Sequence, residues 1–185
     1  MPEMLTGLDG KLLLWIQEYL RNDVLTPFFI FITTLGNSGF LWIAVSAVLL
    51  VHKRTRKVGC MCLCALVLSF LFNNLFLKNF VGRARPFDTL EALVPLIRRP
   101  SDFSFPSGHT ASSFAAAGVC YRKLPKKYGI PLLIMAALIG LSRLYLGVHY
   151  PSDVLFGMIS GWFVGCAAEA LIGLLTKRLE GENRR

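Results

Sequence analysis

Residues 153–176, DVLFGMISGWFVGCAAEALIGLLT, hold a single charged side chain, Glu169, after the opening Asp153. An α-helix needs roughly 20 apolar residues to cross the hydrocarbon of a bilayer. Lipid offers the backbone no hydrogen bonds, so a stretch this long and apolar is expected to be a spanning helix. Gly157, Gly161 and Gly165 recur every fourth residue and give this helix one smooth face. Small residues at that spacing let helices approach closely, and packing inside a bundle is favoured here over dimerisation. Glu169 lies on the same helix near its C-terminal end, where pairing with a neighbouring cation or with interfacial water is expected.

Working outward, further apolar runs occur at about 39–51, 58–77, 106–120 and 130–146. The 185 residues are 54% hydrophobic and suit one domain, residues 1–185. The mean hydropathy of +0.55 is too apolar for an ordinary soluble fold. The expected fold is therefore all-α, a polytopic transmembrane helical bundle with five spans and a possible sixth. The open question is the N-terminal segment, residues 1–36. LLLWIQEYLRND (12–23) is amphipathic and VLTPFFIFITTLG (24–36) is apolar but only about 20 Å long as a helix. Two short helices at one interface, or one broken crossing interrupted at Arg21–Asp23 and Pro27, both fit. Met1–Gly10 has no basic start and no small-residue cleavage site follows, so the first apolar stretches are expected to stay in the protein.

Cys60, Cys62, Cys64, Cys120 and Cys166 all fall within predicted spans, where a thiol packs as a small apolar group. Their spacing matches no common metal motif.

The net charge is +9, and its placement decides topology. Lys53, Arg54, Arg56 and Lys57 fill one loop, Arg122, Lys123, Lys126 and Lys127 another, and Lys177, Arg178, Arg184 and Arg185 follow the last span. The positive-inside rule makes these segments cytoplasmic. The clusters are small and lack interleaved aromatics, so nucleic-acid binding is not expected. Parity then puts the ends bearing KNFVGRARP (78–86), FPSGH (105–109) and SRLYLGVHYPSD (142–153) together on the opposite, extracytoplasmic face.

These three motifs hold most of the polar chemistry. Ionised groups clustered in an apolar chain mark a functional site by default. In FPSGH, Pro106 suits a first helical position. The free N–H groups of Ser107, Gly108 and their neighbours would then form an anion site, with Gly108 allowing close approach. Lys78, Arg85 and Arg143 supply a point charge and two planar forks matched to phosphate oxygens. Any one of them alone reads more readily as a snorkelling anchor, and PSGH with His109 alone more readily as a capped helix start with a polar residue at the interface; three cations beside an anion-binding helix start are what favour the site. In HYPSD, Pro151 marks another helix start, and Asp153 in its first turn reaches back to fix the tautomer of His149. Capping the helix is compatible with that role. His149, with an orienting carboxylate, is the better nucleophile, and His109 the better proton donor. No carboxylate cluster suited to Mg²⁺ lies near these residues, so neither metal nor cofactor is expected.

The complete pattern, K-x6-RP from Lys78 to Pro86, PSGH at 106–109, and SR-x5-H-x3-D from Ser142 to Asp153, resembles the three-part signature of the type 2 phosphatidic acid phosphatase (PAP2) superfamily. The motifs cover residues 78–153. The resemblance implies a PAP2/haloperoxidase-like bundle and a phosphohistidine formed on His149, oriented by Asp153. It implies that His109 protonates the leaving group and later activates water. Lys78, Arg85, Ser107, Gly108 and Arg143 would bind the phosphoryl oxygens, without metal. The implied protein is a multi-pass lipid phosphatase of a bacterial-type plasma membrane. Its substrate would be a membrane lipid phosphate, with undecaprenyl pyrophosphate and phosphatidylglycerol phosphate ahead of phosphatidic acid and other phospholipids. A vanadium-dependent haloperoxidase can use the same motifs, but the apolar spans argue against it. A channel or lipid-binding protein with a vestigial site is disfavoured by the intact His109, His149 and Asp153. The loop from Phe87 to Phe105, with Asp88, Glu91, Arg98, Arg99 and Asp102, is expected to meet headgroups.

Overall fold

The computed structural model describes residues 3–182, and these fold as helices and loops with no strand among them. The chain begins with α1 (Glu3–Trp15), which runs into a π-helical turn, Ile16–Leu20. At Arg21 the backbone becomes extended, and Asn22 Oδ1 accepts from the N–H groups of Val24 and Leu25 at 3.0 and 2.8 Å, starting α2 (Leu25–Leu35). A break at Asn37–Gly39 separates α2 from α3 (Phe40–Val51), with Ser38 and Gly39 at φ 52° and 69°.

This amends the reading of the early segment. The chain does break at Arg21–Asp23, but Pro27 interrupts nothing: it sits in the first turn of α2, where a missing N–H goes unnoticed. The interruption falls instead at residues 36–39, and α2 and α3 form one pair bent by 49°. Left-handed residues cannot continue the right-handed hydrogen-bond ladder.

After a basic turn come α4 (Arg56–Ser69), a π-helical segment Phe70–Leu77, and short α5 (Lys78–Val81) and α6 (Pro86–Thr89). The long helices α7 (Gly108–Lys123), α8 (Lys126–Tyr145) and α9 (Pro151–Glu182) complete the bundle. By length and composition, three helical stretches among the described residues suit a membrane crossing: 56–89, 126–145 and 151–180. The bent α2–α3 pair makes a fourth. The five expected spans are thus not all matched. All five runs are helical, but α3 has only 12 residues and α7 only 16.

The reason is clearest in α7. Its segment from Thr110 to Cys120 is buried almost throughout, because α7 is the central helix, packed by α4, α8 and α9. A helix surrounded by protein needs neither full bilayer length nor a lipid-facing apolar surface. Its small residues instead allow close neighbours. Methyl groups built on Gly157, Gly161 and Gly165 of α9 would lie 2.9, 2.3 and 2.7 Å from the carbonyl oxygens of Ser107, Ala111 and Ala115. Two four-residue repeats, one per helix, therefore interlock inside the bundle.

Trp42 of α3 is fully buried, and its indole N–H donates to Ser113 of α7 at 2.8 Å. Cys62 and Cys120 pack together in the core with a sulfur separation of 3.6 Å, and all five cysteines are free thiols. Glu169 accepts from Arg122 Nε at 2.6 Å and lies 3.1 Å from Lys123 Nζ. The basic turns at 52–55 and 124–127 lie at one end of the bundle and line a common groove. The motif residues gather at the other end.

Candidate active site

At that other end a cavity of about 840 Å³ is lined by Lys78, Arg85, Gly108, His109, Arg143 and His149, among others. Helix ends supply them. Lys78 opens α5, Arg85 precedes α6, Gly108 and His109 form the first turn of α7, Arg143 lies in the last turn of α8, and His149 sits in the turn before α9. Six of the eight expected residues thus face one space. Asp153, fully buried, lies directly behind His149 in the first turn of α9, which Pro151 opens as expected.

Ser107 is placed differently. It is completely buried, its N–H donates to the Asp153 carbonyl at 3.2 Å, and its hydroxyl accepts from Thr110 at 2.9 Å. It does not line the cavity. The start of α7 shifts accordingly: Ser107 is the cap and Gly108 the first helical residue, so Pro106, joined to Phe105 by a cis peptide, precedes the helix rather than opening it. The free helix-start donors facing the cavity are therefore those from Gly108 onward.

His149 is 1% exposed. Its Nδ1 lies 3.5 Å from Asp153 Oδ2 and 3.5 Å from Ser104 Oγ, and its Nε2 is 3.5 Å from Arg85 Nη1. Asp153 Oδ2 also accepts from Ser104 Oγ at 2.5 Å and from the Tyr150 N–H at 2.9 Å. This carboxylate is fixed on all sides, which aims its Oδ2 at the ring. Burial, opposed by the Asp153 hydrogen bond and reinforced by the charges of Arg85 and Arg143, pushes the His149 imidazole down to about 3. The ring is therefore neutral near pH 7, with Nε2 turned toward the cations.

His109 Nε2 donates to Asn37 Oδ1 at 3.0 Å. The side chain that orients this histidine comes from the break between α2 and α3.

Arg143 donates to Thr33 Oγ1 at 2.6 Å, while its buried Nε has no protein partner among the described residues. Arg85 donates from Nε to the Asp102 carbonyl and from Nη1 to the Val148 carbonyl, both at 2.7 Å. Its Nη2 meets Asp102 Oδ1 at 2.6 Å, and Lys78 binds the other oxygen of the same carboxylate. Burial alone would raise the pKa of Asp102, but Lys78 and Arg85 overcome it and hold the group down at about 2. An ionised carboxylate thus occupies two of the cations suited to phosphate.

Sequence patterning places Asp102 only within a headgroup loop, and Asn37, Thr33, Ser104 and Arg83 fall outside its candidate residues. Arg83 had a visible signal, a second arginine inside KNFVGRARP. Asn37 had a weaker one, a lone amide beside Gly36, Ser38 and Gly39. Thr33 and Ser104 carried none, since isolated hydroxyls in apolar surroundings are common.

Chemically, the arrangement pairs a neutral imidazole backed by a carboxylate with a second imidazole. Cations and helix N–H groups sit between them.

Residues 57–176 match the PAP2 superfamily. The chain is 34% identical over 148 residues to an undecaprenyl-diphosphatase of Sulfolobus acidocaldarius, covering 80% of this chain and 69% of the relative. It is 30% identical over 195 residues to a lipid A 4'-phosphatase of Bacteroides thetaiotaomicron, covering 98% and 84%. The crystal structure of a transmembrane PAP2-type phosphatidylglycerolphosphate phosphatase from Bacillus subtilis superposes with a TM-score of 0.74 at 27% identity, covering 96% of this chain and 88% of that one.

Proposed function

Because the chain belongs to the PAP2 superfamily of lipid phosphatases, we propose that it hydrolyses a phosphate monoester or diphosphate on a membrane lipid through a phosphohistidine at His149. One observation carries this reading: His149 and His109 face a single cavity whose wall also holds Lys78, Arg85 and Arg143.

Nε2 of His149 attacks phosphorus while Asp153 holds the proton on Nδ1 and stabilises the cationic ring that forms. The P–O bond to the leaving group breaks, and His109 gives that oxygen its proton. Water, deprotonated by the now neutral His109, then attacks the phosphohistidine, releasing phosphate and restoring both histidines. Asp153 Oδ2, 3.5 Å from Nδ1, is placed to close on the ring as its positive charge develops. Lys78, Arg85 and Arg143, with the N–H groups at the start of α7, neutralise the charge that builds on the phosphoryl oxygens. Ser107 contributes by fixing that helix start against Asp153. These groups supply the charge that a metal ion would otherwise bring.

The substrate reading favours undecaprenyl pyrophosphate or phosphatidylglycerol phosphate, and the relatives add lipid A to the candidates. The basic turns at the far end of the bundle support an extracytoplasmic site by the positive-inside rule.

The test is phosphate release from a panel of these lipids by purified protein in detergent, with and without EDTA. Turnover by the wild-type chain, unaffected by EDTA and abolished by His149→Ala with the fold intact, is expected. Wild-type rates from His149→Ala would sink the nucleophile assignment, and loss of activity in EDTA would sink the metal-free reading.

A further inference from the structure

Behind His149 lies a buried charge cluster of which the mechanism above uses only Asp153. Arg83, in the loop between α5 and α6, donates from Nη1 to Asp153 Oδ1 at 2.6 Å and to Ser152 Oγ at 2.7 Å. Its Nη2 donates to Asp9 Oδ2 of α1 at 2.8 Å. The side chains of Arg83, Asp9 and Asp153 are only 9%, 7% and 0% exposed. The guanidinium also lies 3.8 Å above the ring of Tyr150. Asp9 completes the cluster by accepting from the Ser152 N–H at 3.1 Å and from its hydroxyl.

Such a network is expensive to bury unless every member is satisfied. Here the sharing is specific. Arg83 takes one carboxylate oxygen of Asp153, and the other is left to Ser104, the Tyr150 N–H and His149. Asp9 in turn holds the far side of the guanidinium, and it comes from a helix none of whose described side chains lines the cavity.

We propose that Arg83 is a positioning residue for His149, acting through Asp153, and that Asp9 of α1 anchors Arg83 in that role. On this account α1 is part of the catalytic apparatus and not only an accessory at its edge. The inference rests on the proposed function of His149.

The charged and titratable groups facing His149 are Asp153 from α9, Arg85 from the loop before α6, Arg143 from α8 and His109 from α7. Those facing Arg83 are Asp153, Asp9 and Tyr150. Removing the Arg83 charge leaves Asp153 less neutralised, so protonated His149 gains stability and the acid limb of turnover moves to higher pH. Removing the Asp9 charge leaves Arg83 bearing more fully on Asp153, and the limb moves the opposite way. An arginine that only staples α1 in place produces neither displacement.

The experiment uses the full chain in detergent, with an aryl phosphate as substrate and vanadate as gauge of the anion site. For Arg83→Gln the expected result is a kcat lowered about 100-fold, as for a roughly 1 Å misplacement of a reacting group. KM and half-inhibition by vanadate should change by less than about threefold, because the cavity cations are untouched. Arg83→Lys, which keeps the charge, should recover about tenfold of the loss. Asp9→Asn should shift the acid limb downward. An acid limb unmoved in both Arg83→Gln and Asp9→Asn, or a vanadate affinity falling in step with kcat, would overturn the proposal. If Arg83→Gln does not accumulate, Arg83→Lys and Asp9→Asn decide it: wild-type kcat in the first with an unmoved limb in the second overturns it. The His149 Nδ1–H, read by NMR of ¹⁵N-histidine-labelled protein, separates this inference from the function it rests on. A ring protonated on Nδ1 in both proteins, with its Nδ1–H resonance displaced in Arg83→Gln as Asp153 becomes the stronger acceptor, supports the positioning role even if no lipid is turned over. An undisplaced resonance counts against it.

Discussion

Gly161→Ala tests whether the interlock of α7 and α9 sets the geometry of the site. The added methyl would lie 2.3 Å from the Ala111 carbonyl oxygen, about 1.1 Å inside the 3.4 Å at which ordinary contact begins. Its other near neighbours, 3.0 and 3.1 Å away, are also backbone atoms of Ala111, so no side-chain rotation relieves the clash. The helices must part by about 1 Å there. Overpacking of this kind costs about 1–3 kcal/mol, which for a chain of this size lowers Tm by about 2–12 °C. Function should suffer too. Ala111 lies two residues beyond His109 on α7, and Asp153, behind His149, lies in the first turn of α9, so parting the helices moves the two histidines relative to each other. A full 1 Å displacement of reacting groups is worth about 100-fold; with the clash two turns from Asp153, a loss of about 10-fold in kcat is expected. Gly173→Ala on the same helix is the control, because nothing lies within 4 Å of its added methyl. The assay is thermal unfolding in detergent by tryptophan fluorescence, with phosphate release on the same samples. A Gly161→Ala protein whose Tm stays within about 1 °C of wild type and whose kcat stays within about twofold would refute the reasoning.

Four further outcomes are expected. His109→Gln should slow an alkyl phosphate by about 100-fold or more and an aryl phosphate, whose leaving group needs no proton, far less; an equal loss on both would remove His109 as the acid. Asp102→Asn should tighten inhibition by inorganic phosphate and vanadate by about fivefold, since a half-exposed carboxylate no longer competes for Lys78 and Arg85; unchanged or weaker inhibition would mean that Asp102 organises those cations and does not compete for them. With His149 pushed down to about 3, below the ordinary 6.5, its neutral form persists at every pH above about 3. The kcat/KM for an aryl phosphate, corrected for ionisation of the substrate, should then show no limb near 6.5 assignable to His149. The same shift has a sign for stability: burying a neutral His149 is without penalty above about 6.5 and destabilises increasingly as pH falls from there to about 3, measurable as a falling Tm that His149→Gln makes shallower.

The sequence by itself determined much of this protein. Apolar run length specified helices, because lipid leaves the backbone no other partner. The prolines and glycines of FPSGH and HYPSD put His109, His149 and Asp153 at or just before helix starts on one end, where Lys78, Arg85 and Arg143 also fell. The four-residue glycine repeat announced a close helix contact. These are local properties, fixed by residue type and spacing. What only the tertiary structure decided is which groups meet across long stretches of chain. A short apolar run such as 106–120 reads equally as a lipid-facing span or as a helix enclosed by others, and only the packing of α4, α8 and α9 around it made α7 central. The left-handed break at Ser38 and Gly39 brought Asn37 onto His109, 72 residues away. Asp102 bridges Lys78 and Arg85, and Arg83 joins Asp153 to Asp9, a partner 74 residues earlier in the chain. Periodicity carries no information about such pairings, because a buried charge takes whichever partner the folded backbone brings within reach.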